Sequence, residues 1–239
     1  MNPEVQKFLM IHKGRVSITL TLDGNKALHD ACRVFPDGSP SYDIVAKATR
    51  HAQSVFGLGK GTKLTLAPAN IIHLSDAVKN LYESFDFDGV HANCVYEIGW
   101  EIEHAKIMYG EMKKLADWML ENEVQKHFYC SLFDPIIGKP QGIEDNQNYC
   151  GGLAGTMLAF TTQGNITPCL RYTQFNLNNA QPEIRMGDLE TGIGNDPKYD
   201  AMIDVVNGIT RRSQSTDECF NSPISTGCGW CSAYNYEIY

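Results

Sequence analysis

Positive charge is scarce in this chain. Across 239 residues, 20 Lys and Arg face 28 Asp and Glu, for a formal charge of −8. Nucleic acids and anionic membranes draw their partners through a basic face, so bulk attraction to either is not expected. No apolar run approaches the roughly 18 residues that crossing a bilayer takes. The first residues, MNPEVQKFLMIHKGR, lack the basic-then-apolar order of a secretion signal. Internal repeats and low-complexity tracts are missing too. The stretch GLGKGT (57–62) lacks the spacing of a phosphate loop and leads into a strand, so it reads as a connector. These absences leave a soluble, cytoplasmic chain as the expectation, with no nucleic-acid and no membrane partner. Its length suits one substantial domain, or one domain plus a small appendage.

What is present begins with alternation. Asn2 and Pro3 read as the cap and first turn of a helix that stops near Gly14. RVSITLTL (15–22) alternates apolar and small polar residues, a strand signal, and DGNK turns it. SYDIVAKATRHAQSVF (41–56) carries helical spacing behind Ser41 as a cap. A strand at 63–69, a helix at 75–85 led by Ser75 and a strand at 89–96 follow, and then a long amphipathic helix at 101–127. EIGWEIEH (97–104) reads as the acidic start of that helix rather than as a metal site. Strand–helix units with connections this long predict parallel strands and right-handed crossovers. Three such strands are too few to close a barrel, so the expected fold is α/β with a partial barrel or an open sheet.

The second half changes character. DPIIGKPQG is a Pro- and Gly-rich connection, and a boundary is expected between 134 and 146. MLAFTTQGNITPC (157–169) reads as a hairpin around QGN, with Gly164 supplying a positive φ. DAMIDVVNGITRR (200–212) reads as a helix. Little here builds a large apolar core, and a small loop-rich module gains stability from bound metal.

The eight cysteines are unevenly spread. Cys32, Cys94 and Cys130 are scattered and read as small buried hydrophobes. Cys150, Cys169, Cys219, Cys228 and Cys231 fall in the last two-fifths of the chain. Thiolates are soft donors suited to zinc or to iron–sulfur clusters, whereas a reducing compartment disfavours disulfides. By spacing alone, metal ligands and ordinary reduced thiols both stay open.

Two stretches resemble a known family. VSITLTLDGNKALHDACRVFPDGSPSYDIV (16–45) is similar to the fourth barrel strand, and its continuation, of radical S-adenosylmethionine enzymes. The cysteine array resembles their C-terminal SPASM domain: Cys150, then Gly164 and Cys169, then Cys219, Ser222, Cys228 and Cys231. NYCGGLAGTMLAFTTQGNITPCLRY and GCGWCSAYNYE look like the peptide maturases of that family, which act on cysteine-containing precursors.

The resemblance implies residues 1–133 as the C-terminal part of a partial (β/α) barrel and 146–239 as an incomplete, loop-rich, cysteine-rich SPASM-like domain. It implies S-adenosyl-L-methionine, contacted by Thr21 and Arg33 with Asp23 beside them. It implies auxiliary [4Fe–4S] clusters, the first on Cys150, Cys169 and Cys231, the second on Cys219 and Cys228. Ser222 stands where that second set expects a cysteine, and a hard alkoxide is a poor substitute for a thiolate. Cys130 is a weak candidate for the first cluster's remaining ligand. Read from the residues alone, Asp23 is a turn former before Gly24, Arg33 a surface ion-pair partner and His29 a structural hydrogen-bonder.

The partners implied are a precursor peptide and an electron donor such as a flavodoxin or ferredoxin. The reaction implied is reductive cleavage of S-adenosylmethionine, followed by hydrogen abstraction from the peptide and thioether crosslinking. The family's CxxxCxxC, its glycine-rich second-strand motif and its last SPASM cysteine are not found, so the expectation is a chain cut at both ends. That leaves three alternatives open: a catalytically inactive remnant or peptide-binding module, a sulfatase-activating maturase, and a zinc-stapled binding protein.

Overall fold

The computed structural model describes residues 2–57, 59–95, 99–134, 157–178, 180–194, 197–210, 212–223 and 231–238. It divides into two compact units, 1–137 and 138–239. The architecture is mixed α/β, with a parallel sheet in the first unit and a small antiparallel sheet in the second.

The first unit opens with α1 (Pro3–Ile11), whose Asn2 side chain accepts the Glu4 N–H as expected of a cap. The strand expected from residue 15 begins later, as β1 (Thr19–Thr21). Arg15 and Val16 instead send their N–H groups to the His12 carbonyl, at 2.8 and 3.0 Å, prolonging the turn that ends α1. A short helix, α2 (Lys26–Cys32), is an addition to the sequence reading. The expected alternation follows as α3 (Tyr42–His51), β2 (Gly61–Leu66), α4 (Leu74–Ser84), β3 (Gly89–Cys94) and α5 (Ile102–Glu121), and a fourth strand after it, β4 (Tyr129–Cys130), is a second addition. The four strands lie in the order β1-β2-β3-β4, all parallel.

Two helix starts differ from the sequence reading. Neither Ser41 nor Ser75 caps its helix with its own side chain. Asp30 does so for α3, its Oδ1 accepting the N–H groups of Ser41 and Tyr42 at 3.0 and 2.8 Å. Glu111 reaches over from α5 to accept the Ser75 N–H at 3.2 Å. Carboxylates suit this task because helix N-termini carry unsatisfied donors and positive partial charge.

The strand period of two sorts the sheet's side chains by face. Leu64, Leu66 and Val90 pack with Leu74, Val78 and Leu81 of α4 and with Leu115 and Met119 of α5. Cys130 is buried on that same side, and burial pushes its thiol pKa up. The opposite face carries Thr21, Lys63, Thr65, His91, Asn93 and Tyr129, all half-buried or exposed. Cys32 and Cys94 are exposed, contrary to their reading as buried hydrophobes.

In the second unit, β5 (Ala159–Phe160) and β6 (Asn165–Thr167) form the expected hairpin, with Gly164 at φ +84°. β7 (Gly187–Asp188) and β8 (Gly192–Ile193) complete its sheet. Asp188 organises their turn, accepting the N–H groups of Glu190 and Thr191 and the Tyr199 hydroxyl, and these bonds hold its pKa well below the usual carboxylate range. α6 (Asp200–Gly208), α7 (Asp217–Asn221) and α8 (Ser232–Ile238) follow. Tyr172, Ile184, Ile209 and Ala233 form a small buried core.

Gly24, just after β1, has φ +80°, and a Cβ there would lie 2.7 Å from Ala77 Cβ. Gly24→Ala adds left-handed strain to overpacking and is expected to cost about 2–4 kcal/mol. Gly110→Ala, in an open position inside α5, is expected to stabilise by about 0.5–1 kcal/mol. Urea midpoints of the two variants check the opposite signs.

Candidate functional site

Ligand sites of parallel α/β folds gather where the strands end at their carboxyl sides. Here β1 and β2 end on a connected set of polar side chains. Asp23, two residues beyond β1, is only 2% exposed. Its Oδ1 accepts the Thr65 N–H of β2 at 2.8 Å, and its Oδ2 takes a charge-assisted bond from Arg33 Nε. Arg33 follows α2 directly and sends Nη2 to Thr65 Oγ1 at 3.0 Å. Among the described residues its remaining terminal nitrogen, Nη1, carries no hydrogen bond. Thr21 lies on the same sheet face, paired in register with Lys63.

His29 is fully buried beneath this group. Its Nδ1 accepts the Asp23 N–H at 3.2 Å, and its Nε2 lies 3.1 Å from Ser41 Oγ. The Ser41 hydroxyl donates its own proton to the Arg33 carbonyl at 2.6 Å, so it must accept from Nε2–H. The network thus assigns a neutral imidazole with its proton on Nε2. Burial lowers the His29 pKa, overriding the upward pull of Asp23.

The structure therefore brings Asp23 and Arg33 together, with Thr21 on the same face. Asp23 is more than a turn former, and Arg33 pairs with a buried carboxylate rather than a surface one. Thr65 and Asp30 escaped sequence reading, and Ser41 entered it only as a helix cap. Thr65 could have been found by its parity, since it falls on the same side of β2 as Lys63, the register partner of Thr21. Asp30 and Ser41 have no such signal, because their partners come from tertiary contact.

In the second unit, Cys169 and Cys231 are both half-buried and pack against the same core of Tyr172, Ile184, Ile209 and Ala233. Cys169 closes the hairpin connection after β6, its carbonyl accepting from Thr167 Oγ1 at 2.9 Å. Cys231 directly precedes α8. Cys219 is exposed on α7, and Ser222 ends that helix. Cys150 and Cys228 lie outside the described residues, as do 135–149 of the expected connection and boundary. Among the described residues no group of three His, Cys, Asp or Glu side chains is placed to hold a metal ion. The donors that are described nonetheless fit a thiophilic group. Cys169 and Cys231 are soft sulfurs on a small apolar core, and among the described residues the Ser232 hydroxyl beside Cys231 is buried without a hydrogen-bond partner.

A 520 Å³ cavity beside β4, lined by Met119, Leu120, Phe128 and Phe133 among others, is mainly apolar, with Cys130 and Asp134 also on its wall. No helix among the described residues is long and apolar enough to cross a membrane.

No family model and no curated protein matches the sequence. Solved structures do match. The fold is similar to native anSMEcpe with bound AdoMet, at a TM-score of 0.59 and 15% identity, over 95% of this chain and 61% of that one. It is also similar to native anSMEcpe with bound AdoMet and Kp18Cys peptide, at a TM-score of 0.57 and 15% identity, over 93% of this chain and 60% of that one. That protein is an anaerobic sulfatase-maturating enzyme, a radical S-adenosylmethionine protein with a SPASM domain. At this identity the likeness is one of fold, and the chain spans about three-fifths of the length of the structures it matches.

His29 supplies a pH test. Its folded pKa lies below its unfolded value, so the unfolded chain takes up the proton first as pH falls. Stability from this group is complete above about pH 6.5 and declines below it. Between about pH 7.5 and 5.5, the urea midpoint of the wild type is expected to fall more steeply than that of His29→Gln. Equal slopes would exclude the neutral, buried imidazole.

Proposed function

We propose that this chain works in radical S-adenosylmethionine chemistry on a peptide substrate, as a maturase. Residues 1–133 are read as part of the barrel and 146–239 as the SPASM-like module. The observation that carries the reading is the meeting of Cys169 and Cys231 on one buried core, in a chain whose fold follows that of anSMEcpe. Two thiols far apart in sequence share a small apolar setting, which suits a structural iron–sulfur cluster held with Cys150. Cys219 and Cys228 are the thiols left for a second cluster.

S-adenosylmethionine, when bound and reductively cleaved, supplies a carbon radical that removes hydrogen from a peptide carbon. The chain's own residues would bind and orient it. Arg33 presents Nη1 at the ends of β1 and β2, suited to the cofactor's carboxylate. Asp23 fixes the guanidinium from below, so less side-chain freedom is lost on binding. Thr21 offers a hydroxyl on the same face, and Lys63, His91 and Asn93 offer polar contacts for a peptide. Electrons would come from a small donor protein such as a flavodoxin or ferredoxin.

Two substrate classes fit. Thioether crosslinking of a small cysteine-rich precursor is favoured by the sequence likeness around Cys150–Tyr172 and Cys228–Glu237. Sulfatase maturation is favoured by the structural likeness to anSMEcpe with its Kp18Cys peptide. Offering both peptide types to the reduced, reconstituted protein and reading their masses separates them.

Anaerobic reconstitution with iron and sulfide is expected to give brown protein with about four irons and four sulfides per assembled cluster. Cys169→Ala and Cys231→Ala are each expected to lose one cluster's worth. Fewer than about two irons per wild-type chain would rule out even one [4Fe–4S] centre. Arg33→Ala is expected to weaken S-adenosylmethionine binding about tenfold or more in equilibrium dialysis, the loss of one charged hydrogen bond.

A further inference from the structure

Ser232 is fully buried, and among the described residues its Oγ has no hydrogen-bond partner. It follows Cys231 directly and begins α8. The next residue, Ala233, belongs to the buried core against which both Cys169 and Cys231 pack. Tyr236, one turn further along α8, packs there too and anchors the helix through its hydroxyl to the Pro182 carbonyl at 3.1 Å.

Buried hydroxyls are nearly always satisfied, because leaving one unpaired forfeits its hydration for nothing. An alanine would fill the place of Ser232 without that loss. This donor follows Cys231 and leads into a helix whose Ala233 and Tyr236 pack on the core that Cys169 and Cys231 share, and among the described residues no acceptor reaches it, which leaves it for an acceptor from outside them. Sulfur of a ligating thiolate or of a bridging sulfide is such an acceptor. Hydrogen bonds to cluster sulfurs are among the main settings of an iron–sulfur potential, because a donor stabilises the more negative, reduced form.

We infer that the Ser232 hydroxyl is a positioning donor to a sulfur atom of the iron–sulfur cluster held by Cys169 and Cys231, and that it raises that cluster's reduction potential. The inference rests on the cluster reading proposed above. It adds a residue that binds no iron and whose effect is read in potential rather than in metal content.

The test uses the full chain, reconstituted anaerobically, with the relevant signal identified as the one lost in Cys231→Ala. Ser232→Ala is expected to load the same iron and sulfide as the wild type and to shift the midpoint of that signal to more negative potential in an electron paramagnetic resonance titration. Ser232→Thr, which keeps the hydroxyl, is expected to return the midpoint toward the wild-type value. The Fe–S stretching bands of the wild type are expected to shift in heavy water, and that shift is expected to vanish in Ser232→Ala. Ser75→Ala, which also removes a buried hydroxyl without a partner but from the first unit, is the control. An unchanged midpoint in Ser232→Ala at equal iron overturns the inference, as does an equal shift in Ser75→Ala. A wild-type chain that takes up no iron and sulfide refutes the cluster reading itself and the inference with it. That failure is visible before any midpoint is compared.

Discussion

The carboxylate of Asp23 ties together the parts of the first unit that converge at the strand ends. One oxygen accepts the Thr65 N–H of β2, the other takes Arg33 from beyond α2, and the residue's own N–H goes to His29 within α2. A buried carboxylate is tolerated only when its oxygens are satisfied, and here two donors from distant parts of the chain do so. The demand runs both ways. The charge needs these partners, so the partners are held in one arrangement. His29 must stay neutral to accept from Asp23, Ser41 must then accept from His29, and the Arg33 carbonyl must accept from Ser41. Arg33 is thus fixed at both its backbone and its guanidinium.

That arrangement faces an unusual surface. All-parallel sheets are ordinarily covered on both sides and read as continuous apolar runs. This one is apolar on the face toward α4 and α5 and polar on the other, where Lys63, His91 and Asn93 are exposed. Alternation in a parallel strand here separates a buried face from an exposed one. One set of residues builds the core and the other set is polar and exposed. The Asp23–Arg33 pair lies at the end of that polar face, so a bound anion there meets a guanidinium already oriented by the fold.

The covered face was legible in the sequence, because burial imposes a period that anyone can count. β2, β3, α4 and α5 fall within a few residues of their expected limits. What escaped was set by contacts distant in sequence. β1 is short because the α1 turn claims the N–H groups of Arg15 and Val16. Ser41 and Ser75 have the right residue type for caps, yet Asp30 and Glu111 occupy the role from elsewhere. Ser41 is thereby freed to join His29. Cys94 alternates onto the covered face and pairs with the buried Leu66, yet as the last residue of β3 it is exposed. For the candidate site, resemblance named Thr21, Asp23 and Arg33, while nothing in the spacing could say that Asp23 is buried or that Thr65 completes the set.

The two sets of C-terminal thiols differ in a way that bears on what each could hold. Cys169 and Cys231 sit against a packed core, so a cluster there would be partly shielded from water, and the cost of ordering its ligands is already met by Tyr172, Ile184 and Ala233. Cys219 is exposed on a five-residue helix flanked by Asp217 and Glu218, and its N–H is taken by the Thr216 cap. Ser222, at the end of that helix, adds a hard oxygen where a soft sulfur would be needed. A cluster whose described thiol, Cys219, is exposed beside carboxylates would be easier to lose than one whose described thiols, Cys169 and Cys231, sit against a core. The residues that build the core under Cys169 and Cys231 are not the ones that carry Cys219, so a change at Cys219 would leave that core undisturbed.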